Sequence, residues 1–465
     1  MVPLTTLPTS YLQIIQVFAS IILIVKISAV IKRAYLTPLR KLPGPWYAKW
    51  TDYWLKWNVV TGNRTQYIDG LHKTYGHCVR ISPDEVSFSD INSHRTLHSV
   101  GSQFRKSEWY KKFTNSEGKF DSPGLFAMTD PREHGNRKIL FSQQFSNSSI
   151  MSKESVIRAN IHMAVDKFSR DAHVNGFADI MKWWTFLATD VIAELSFAFN
   201  LLQYLPIEKL QVALNTSSRL NEYGFLAIQN HKEFIMKNPD ASNCLFSRFL
   251  DPTKSKAELS DQQLAQEAGN LIVAGSDTTS ISLTFLTYAL LRPCNREVRD
   301  KLVDEISSLP IDAPAKDIMM LPYLKKVIEG SLRIYGGGPS LPRVVPSSGA
   351  MLAGYNIPAG TTPSTQKFTM MRDSEIFHDT LSFNPDRWNA PTPEMKDAYS
   401  PFLTGPRTCL GMHLAMFEIT CGIFHFLKKC PTAQIAPSTT DESMEFENYF
   451  IMAPKGHALY LRLDL

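Results

Sequence analysis

Apolar and polar positions divide the chain into an apolar lead segment and a long, mostly helical body. From Tyr11 to Ile31 it reads YLQIIQVFASIILIVKISAVI, with Lys26 as the one charge. As a helix this run is about 30 Å long, enough for a bilayer core. Val79–Ile81 and Val86–Phe88 alternate around Ser82-Pro83-Asp84-Glu85, the pattern of a β-hairpin. Helical candidates follow over Ser152–Phe168, Phe177–Phe199, Ile207–Lys237, Ser260–Leu291, Asn295–Ser308, Leu324–Ile334 and Met412–Lys428. Short extended pieces and turns fill Leu341–Phe368. The fold class expected is mainly α with a minor β-sheet, preceded by one N-terminal transmembrane helix. No internal repeat, low-complexity run or second linker interrupts the body. The expected division is residues 1–41 as membrane anchor and basic flank, and 42–465 as one domain.

Charge gives the lead segment a direction. No charge precedes it, whereas Lys32, Arg33, Arg40 and Lys41 follow it. The positive-inside rule then sets the carboxyl side in the cytosol. A cleaved signal peptide would carry a basic stretch first. Leu42-Pro43-Gly44-Pro45-Trp46 places two prolines around a glycine, a stiff extended link that suits a body held at a membrane surface.

Composition narrows the classes further. With 44% hydrophobic and 20% charged residues in 465, a sizeable core is available and global disorder is excluded. A net charge of +5 is too mild to argue for nucleic acid, and no nucleic-acid motif is present. The six cysteines (Cys78, Cys244, Cys294, Cys409, Cys421, Cys430) form no C-x-x-C pair and are too few for a disulfide scaffold. They fit a reducing, cytosol-facing compartment, which leaves the sequons at Asn63, Asn147 and Asn215 unused.

Candidate chemistry concentrates in two places. In Phe402-Leu403-Thr404-Gly405-Pro406-Arg407-Thr408-Cys409-Leu410-Gly411, a cysteine sits between two glycines ahead of an apolar helix. Gly405 permits a tight turn, and Gly411 lets a flat cofactor approach. The plainer alternative is an ordinary buried thiol before a helix. The second place is Gln266–Leu291, apolar except for Ala274-Gly275-Ser276-Asp277-Thr278-Thr279-Ser280. An acid beside consecutive hydroxyls is costly in lipid, so this is a buried core helix. Gly275 among Ser and Thr predicts a local distortion that sets a hydroxyl and a water beside a cofactor. The alternative is a polar patch used only in packing.

Together these residues resemble the cytochrome P-450 superfamily of haem-thiolate monooxygenases. The loop matches F-x-x-G-x-R-x-C-x-G at every fixed position, and the long helix matches [AG]-G-x-[DE]-T. Phe383-Asn384-Pro385-Asp386-Arg387-Trp388 and Leu341-Pro342-Arg343-Val344-Val345-Pro346 resemble two further family segments, and LPGPW resembles the proline hinge of microsomal members. The likeness extends from about Leu42 to the end. RISPDEVSFSD, AGSDTTS, LPRVVP and TGPRTCLGMHLA look most like filamentous-fungal members of secondary metabolism.

The resemblance implies the cytochrome P-450 fold and haem b (iron protoporphyrin IX). Cys409 becomes the axial thiolate and metal ligand, a donor that favours O–O cleavage, tuned by backbone N–H groups. Arg407 and Arg343 pair with the haem propionates. Phe402 packs near the sulfur. Asp277 and Thr278 form an acid–alcohol pair that supplies protons, with Thr279 as the fallback hydroxyl. His134 and Lys138 share one helix face where many members have W-x-x-x-R, with Lys138 a point charge in place of a fork.

Two departures stand out. The family acid three residues before Arg333 is replaced by Gly330, so Glu329 is expected to pair with Arg333 from i−4, joined by Arg387. After Phe199, Asn200-Leu201-Leu202-Gln203 bridges directly toward Pro206 where the resemblance implies another helix, which shortens the roof of the substrate pocket.

The implied reaction inserts one oxygen atom from O2 into an apolar small molecule, with electrons from NADPH through NADPH-cytochrome P-450 reductase. Lys428 and Lys429 are candidates for its docking face, or else a merely solvated pair. The implied location is the endoplasmic reticulum membrane, single-pass, with the catalytic domain cytosolic and lipid as a partner. Terpenoid, polyketide and alkaloid substrates are all compatible, terpenoid preferred. Two alternatives stay open: a haem-thiolate isomerase, dehydratase or ring-forming enzyme, and a catalytically impaired haem-binding membrane protein.

Overall fold

The computed structural model describes residues 9–114, 123–197, 217–237, 244–246, 249, 259–336, 338 and 341–464. Seven helices build the part that matters for the site: α1 (Thr9–Tyr35), α2 (Tyr53–Val60), α3 (Pro131–Ser142), α4 (Glu154–Asn175), α5 (Ile180–Phe197), α6 (Ser217–Lys237) and α7 (Asp261–Leu291). Two more complete it, α8 (Pro322–Tyr335) and α9 (Met412–Lys429). Other elements are named by their residues.

α1 is exposed from Gln13 to Ala29, with Ala34 buried near its carboxyl end, and is the one helix among the described residues long and apolar enough to cross a membrane. Its carboxyl end is tied to the body. Arg80 Nη2 donates to the Arg33 carbonyl at 3.2 Å, and Arg33 pairs with Asp84 at 2.9 Å. The proline link is docked as well, since the Arg80 N–H donates to the Pro43 carbonyl at 2.8 Å.

The body is mainly helical, and its core lies around α7. Ser260 and Gln263 close its start with a reciprocal capping box. α5, α6, α8 and α9 all pack on α7. Trp184 of α5 is wholly buried and donates its indole N–H to Thr287 Oγ1 of α7 at 3.3 Å, so a large apolar ring enters the core with its polar edge satisfied. A Cβ on Gly275 would sit 3.1 Å from Ile192 Cγ1 of α5. The expected distortion at Gly275 is not formed, because α-helical hydrogen bonding continues through it. Close crossing of α5 accounts for the small residue instead.

The sheets are minor. β1 (Cys78–Arg80) and β2 (Glu85–Phe88) form the expected hairpin, with Cys78 opposite Phe88. β3 (Arg105–Lys106) pairs with β4 (Arg343–Val344), setting Lys106 opposite Arg343. β5 (Thr362–Thr365) runs parallel to β2, a crossover that joins residues far apart in the chain. The expected helix Phe177–Phe199 is observed as Ile180–Phe197 and Ile207–Lys237 as Ser217–Lys237. The bridge at Asn200–Gln203 and positions 207–216 lie outside the described residues. Several amino-terminal helices, including α2, carry too little periodicity to be read from sequence.

Candidate functional site

The loop before α9 is held by its own backbone. Cys409 N–H donates to the Phe402 carbonyl at 2.9 Å, which brings the aromatic ring's segment back against the thiol, and Thr408 N–H donates to Gly405 at 3.0 Å. Gly405 adopts φ +70, and a Cβ there would lie 1.9 Å from the His98 carbonyl oxygen. Only glycine meets both demands. Gly411 has nothing within 4 Å of its Cβ position, so its near side is open.

Cys409 retains an exposed surface, yet protein atoms crowd it enough for desolvation to raise its thiol pKa. This combination describes a thiol on the wall of a recess. Three features oppose the rise: a hydrogen bond from the Gly411 N–H and the charges of Lys138 and Lys367.

Cations gather around the loop. Arg407 donates to the Met128 carbonyl at 3.1 Å, and Lys138 Nζ donates to the carbonyls of Pro406 and Thr408 at 3.0 and 2.8 Å. Lys138 is thereby committed to the cysteine loop itself. Arg343 meets His98 Nδ1 at 3.2 Å, while its Nη1 is buried without a partner. Lys106 donates to the Phe126 carbonyl. Burial lowers the pKa of each, with the charges of its neighbours adding to the effect for Arg407 and Lys106, and Arg407 falls to about 10. His134 is buried nearby and is driven down to about 3 by desolvation, then by Arg407 and Lys106. Buried Lys367 drops to about 8. Among the described residues the one carboxylate bearing on this group is Asp130, at the N-cap of α3. Such a group is built to receive anionic charge.

α7 supplies the acid and hydroxyls. Burial raises Asp277 to about 6. Thr278 Oγ1 donates to the Ala274 carbonyl at 2.7 Å, leaving its oxygen free to accept. Thr279 is buried and hydrogen-bonds Glu418 of α9. Glu418 is itself buried, its pKa well above the usual carboxylate range through desolvation, and its Oε1 has no partner. Sequence reasoning passed over Glu418, although a lone acid in the apolar run AMFEITC of α9 was a signal available to it. It also passed over Lys106 and Lys367, for which spacing offered none. A further clamp joins α3 to α7: Arg137 and Glu267 form a buried ion pair at 2.9 Å, and Glu267 accepts from the Leu125 N–H at 2.9 Å.

The expected pairing of Glu329 with Arg333 is not made. Arg333 is buried and donates to three carbonyls, those of Met371 at 3.0 Å, Thr380 at 2.7 Å and Ser382 at 3.2 Å. Arg387 donates to the Asp379 carbonyl at 3.1 Å. Glu329 is half-buried beside Lys325, Lys326 and Tyr399. Register explains the miss. The i−3 position, Gly330, faces Phe383, whose ring carbon lies 3.5 Å from the Cβ position, whereas i−4 turns toward Tyr399. Lys429 is likewise committed, to Asp166 at 3.1 Å.

Among the described residues, no group of three His, Cys, Asp or Glu side chains could hold a metal. A metal at Cys409 must therefore bring most of its own ligands. A flat macrocycle with anionic arms fits the single thiol, the open side of Gly411, the partnerless Arg343 Nη1 and the surrounding cations.

Comparison with known proteins gives the same direction. The family model described as cytochrome P-450 matches residues 42–204 and 194–461. Its two matches meet at 194–204, where a shortened segment was expected. The chain is 36% identical to cytochrome P-450 monooxygenase tazI of Aspergillus terreus, over 94% of this chain and 96% of that protein. It is 33% identical to cytochrome P-450 monooxygenase stcB of Emericella nidulans (91% and 88% covered) and 31% identical to aflV of Aspergillus parasiticus (94% of each).

Proposed function

The chain belongs to the cytochrome P-450 family and is a monooxygenase of it, and from that premise we propose a membrane-anchored enzyme that oxidises an apolar small molecule of fungal secondary metabolism. The reaction is hydroxylation or epoxidation, with a terpenoid as the preferred substrate class. Electrons come from NADPH through a membrane-bound reductase. The seat is the endoplasmic reticulum membrane, with α1 as a single-pass anchor and the body in the cytosol.

The ring of buried cations around the Cys409 loop carries this proposal. Arg343, Arg407 and Lys106 would hold the haem propionates, with His134 packed beside them. Lys138 braces the loop from below through two carbonyls. Cys409 would ligate the iron, and the Gly411 N–H with Lys138 and Lys367 favours the thiolate that ligation requires. When bound, the haem supplies the oxygen and redox chemistry that no side chain can. The chain supplies protons. Asp277, raised to about 6 by burial, would hold a proton at its carboxyl, and Thr278 Oγ1 would release its bond to the Ala274 carbonyl when it turns to donate into the site.

The deciding measurement is the reduced, carbon-monoxide-bound spectrum of microsomes holding the full chain. A thiolate Soret band that disappears in Cys409→Ser is expected. Its absence from the unaltered chain overturns the assignment of Cys409 and the monooxygenase reading together. Product formation without NADPH would favour the isomerase alternative.

A further inference from the structure

Lysine is seldom buried without a partner, because its ammonium loses water and gains nothing in return. Lys367 is an exception. It is 3% exposed, and among the described residues neither an ion pair nor a hydrogen bond meets its Nζ. The backbone imposes this position. β5 ends at Thr365, the Gln366 N–H donates to the Phe88 carbonyl at 2.7 Å, and Gln366 Nε2 donates to the Thr65 carbonyl at 3.0 Å. The chain then makes one helical turn, Lys367–Met370, in which the Met370 N–H donates to the Gln366 carbonyl at 3.0 Å. Nζ comes to rest over Gly338, 3.3 Å from the Cβ position there.

The anion for this cation is not a carboxylate. Asp69, which accepts from Thr369 of the same turn at 2.8 Å, is already paired with Lys73 at 2.7 Å. The group that bears on the Lys367 charge is Cys409, and each acts on the other: the ammonium favours the thiolate, and the thiolate favours the ammonium. Burial brings Lys367 to about 8, so it stays protonated at neutral pH. It also stands apart from the cations assigned to the propionates. Arg343, Arg407, Lys106 and Lys138 weigh on His134, whereas Lys367 weighs on His94 and His98. Those two rings hydrogen-bond Thr365 and are held neutral by burial, which leaves the ammonium to supply the charge here.

We propose that Lys367 is the fixed countercharge of the axial thiolate, and that it raises the reduction potential of the haem iron. This rests on the reading of Cys409 as the iron ligand. One electron from the reductase takes the iron from ferric to ferrous, and no bond or proton at Lys367 or Cys409 changes. The added electron increases the negative charge beside the ammonium, so the ferrous form gains more from Lys367 than the ferric form does. Lys367 thus acts on the metal through its ligand, and eases entry of the first electron.

The holoenzyme is titrated potentiometrically with dithionite beside Lys367→Met and Lys367→Gln, which remove the charge, and Lys367→Arg, which keeps it. The equilibrium constant for one-electron reduction is expected to fall about tenfold in both neutral variants, a midpoint about 59 mV lower, and to recover in the arginine variant. The reduced, carbon-monoxide-bound spectrum of each sample is read first and keeps the two claims apart. An unaltered chain without the thiolate band removes the premise. With the band present, a constant that stays within twofold or rises in both neutral variants overturns the proposal, as does a fall that the arginine variant shares in full. Loss of the band in the neutral variants alone is the same effect on the thiolate carried further. Loss in all three variants shows a packing role and overturns it.

Discussion

Arg387 lies close enough to Arg333 to disfavour its charge, and among the described residues no carboxylate hydrogen-bonds either guanidinium. Burial and this repulsion lower Arg333 to about 10. Its cohesion comes from three carbonyls, so the side chain works as a donor hub where an ion pair was expected. Replacing Arg333 with Ala strands those carbonyls at about 1–3 kcal/mol each, and a denaturant titration should show a loss of several kcal/mol.

Gly330 offers the complementary change. A Cβ there makes ordinary contact with Phe383. Gly330→Ala should therefore stabilise the chain by about 1 kcal/mol from helix propensity alone. Gly330→Glu should exceed the alanine variant, since its carboxylate returns to the side that meets the two arginines. Paired melts of the two variants separate propensity from charge.

The Arg137–Glu267 pair fixes α3 and the backbone at Leu125 against α7. Breaking a buried pair from one side costs about 3–5 kcal/mol, because the other charge stays buried. Glu267→Leu and Arg137→Met should each show that loss, and the double variant should recover much of it. A double-variant cycle by thermal unfolding measures the coupling.

Asp277 gives a pH signature with a definite sign. Its folded pKa is about 6 against 3.8 in the unfolded chain, so folding favours the protonated form. The stability it contributes is complete below 3.8 and lost as pH rises through 6. At pH 8 Asp277→Asn should thus be the more stable by about 3 kcal/mol, at ~1.4 kcal/mol per unit, with the gap closing below pH 4. Turnover should fall by ~10²-fold or more in the same variant, and its inflection near pH 6 should vanish.

Glu418 follows the same sign more strongly. Its folded pKa stands well above the carboxylate value of 4.5. Wild type should lose stability relative to Glu418→Gln as pH rises above that value, because glutamine keeps a hydrogen-bonding partner for Thr279 and cannot ionise. Melting temperatures across neutral to alkaline pH test this.

What could be read from sequence was local. The α7 and α9 spans, the hairpin and the cysteine loop depend on periodicity and on residues within about one turn of each other. The α2 helix escaped because its sequence, YWLKWNVV, is nearly all apolar and shows no helical period. Lys106 reached the site through its pairing with Arg343, and Lys367 through the crossover of β5, neither of which leaves a trace in spacing. Glu329 was misassigned for a related reason. Adjacency on a helix gives two candidate positions for a partner, and only the packing of Phe383 and Tyr399 tells them apart.

The seat of Gly405 on the His98 carbonyl has a consequence for biosynthesis. Thr404 reaches back to His94 across 310 positions, and His94 and His98 both engage Thr365. On the ribosome, the segment ending at His98 emerges early and must wait for most of the chain before its partner loop exists. Loop closure over such separations is slow compared with local helix formation. The cysteine loop therefore cannot be seated by the front half of a nascent chain. Seating of the loop is a late event, and a chain stalled before Thr404 leaves the helix Ile91–His98 without the loop that packs on its end.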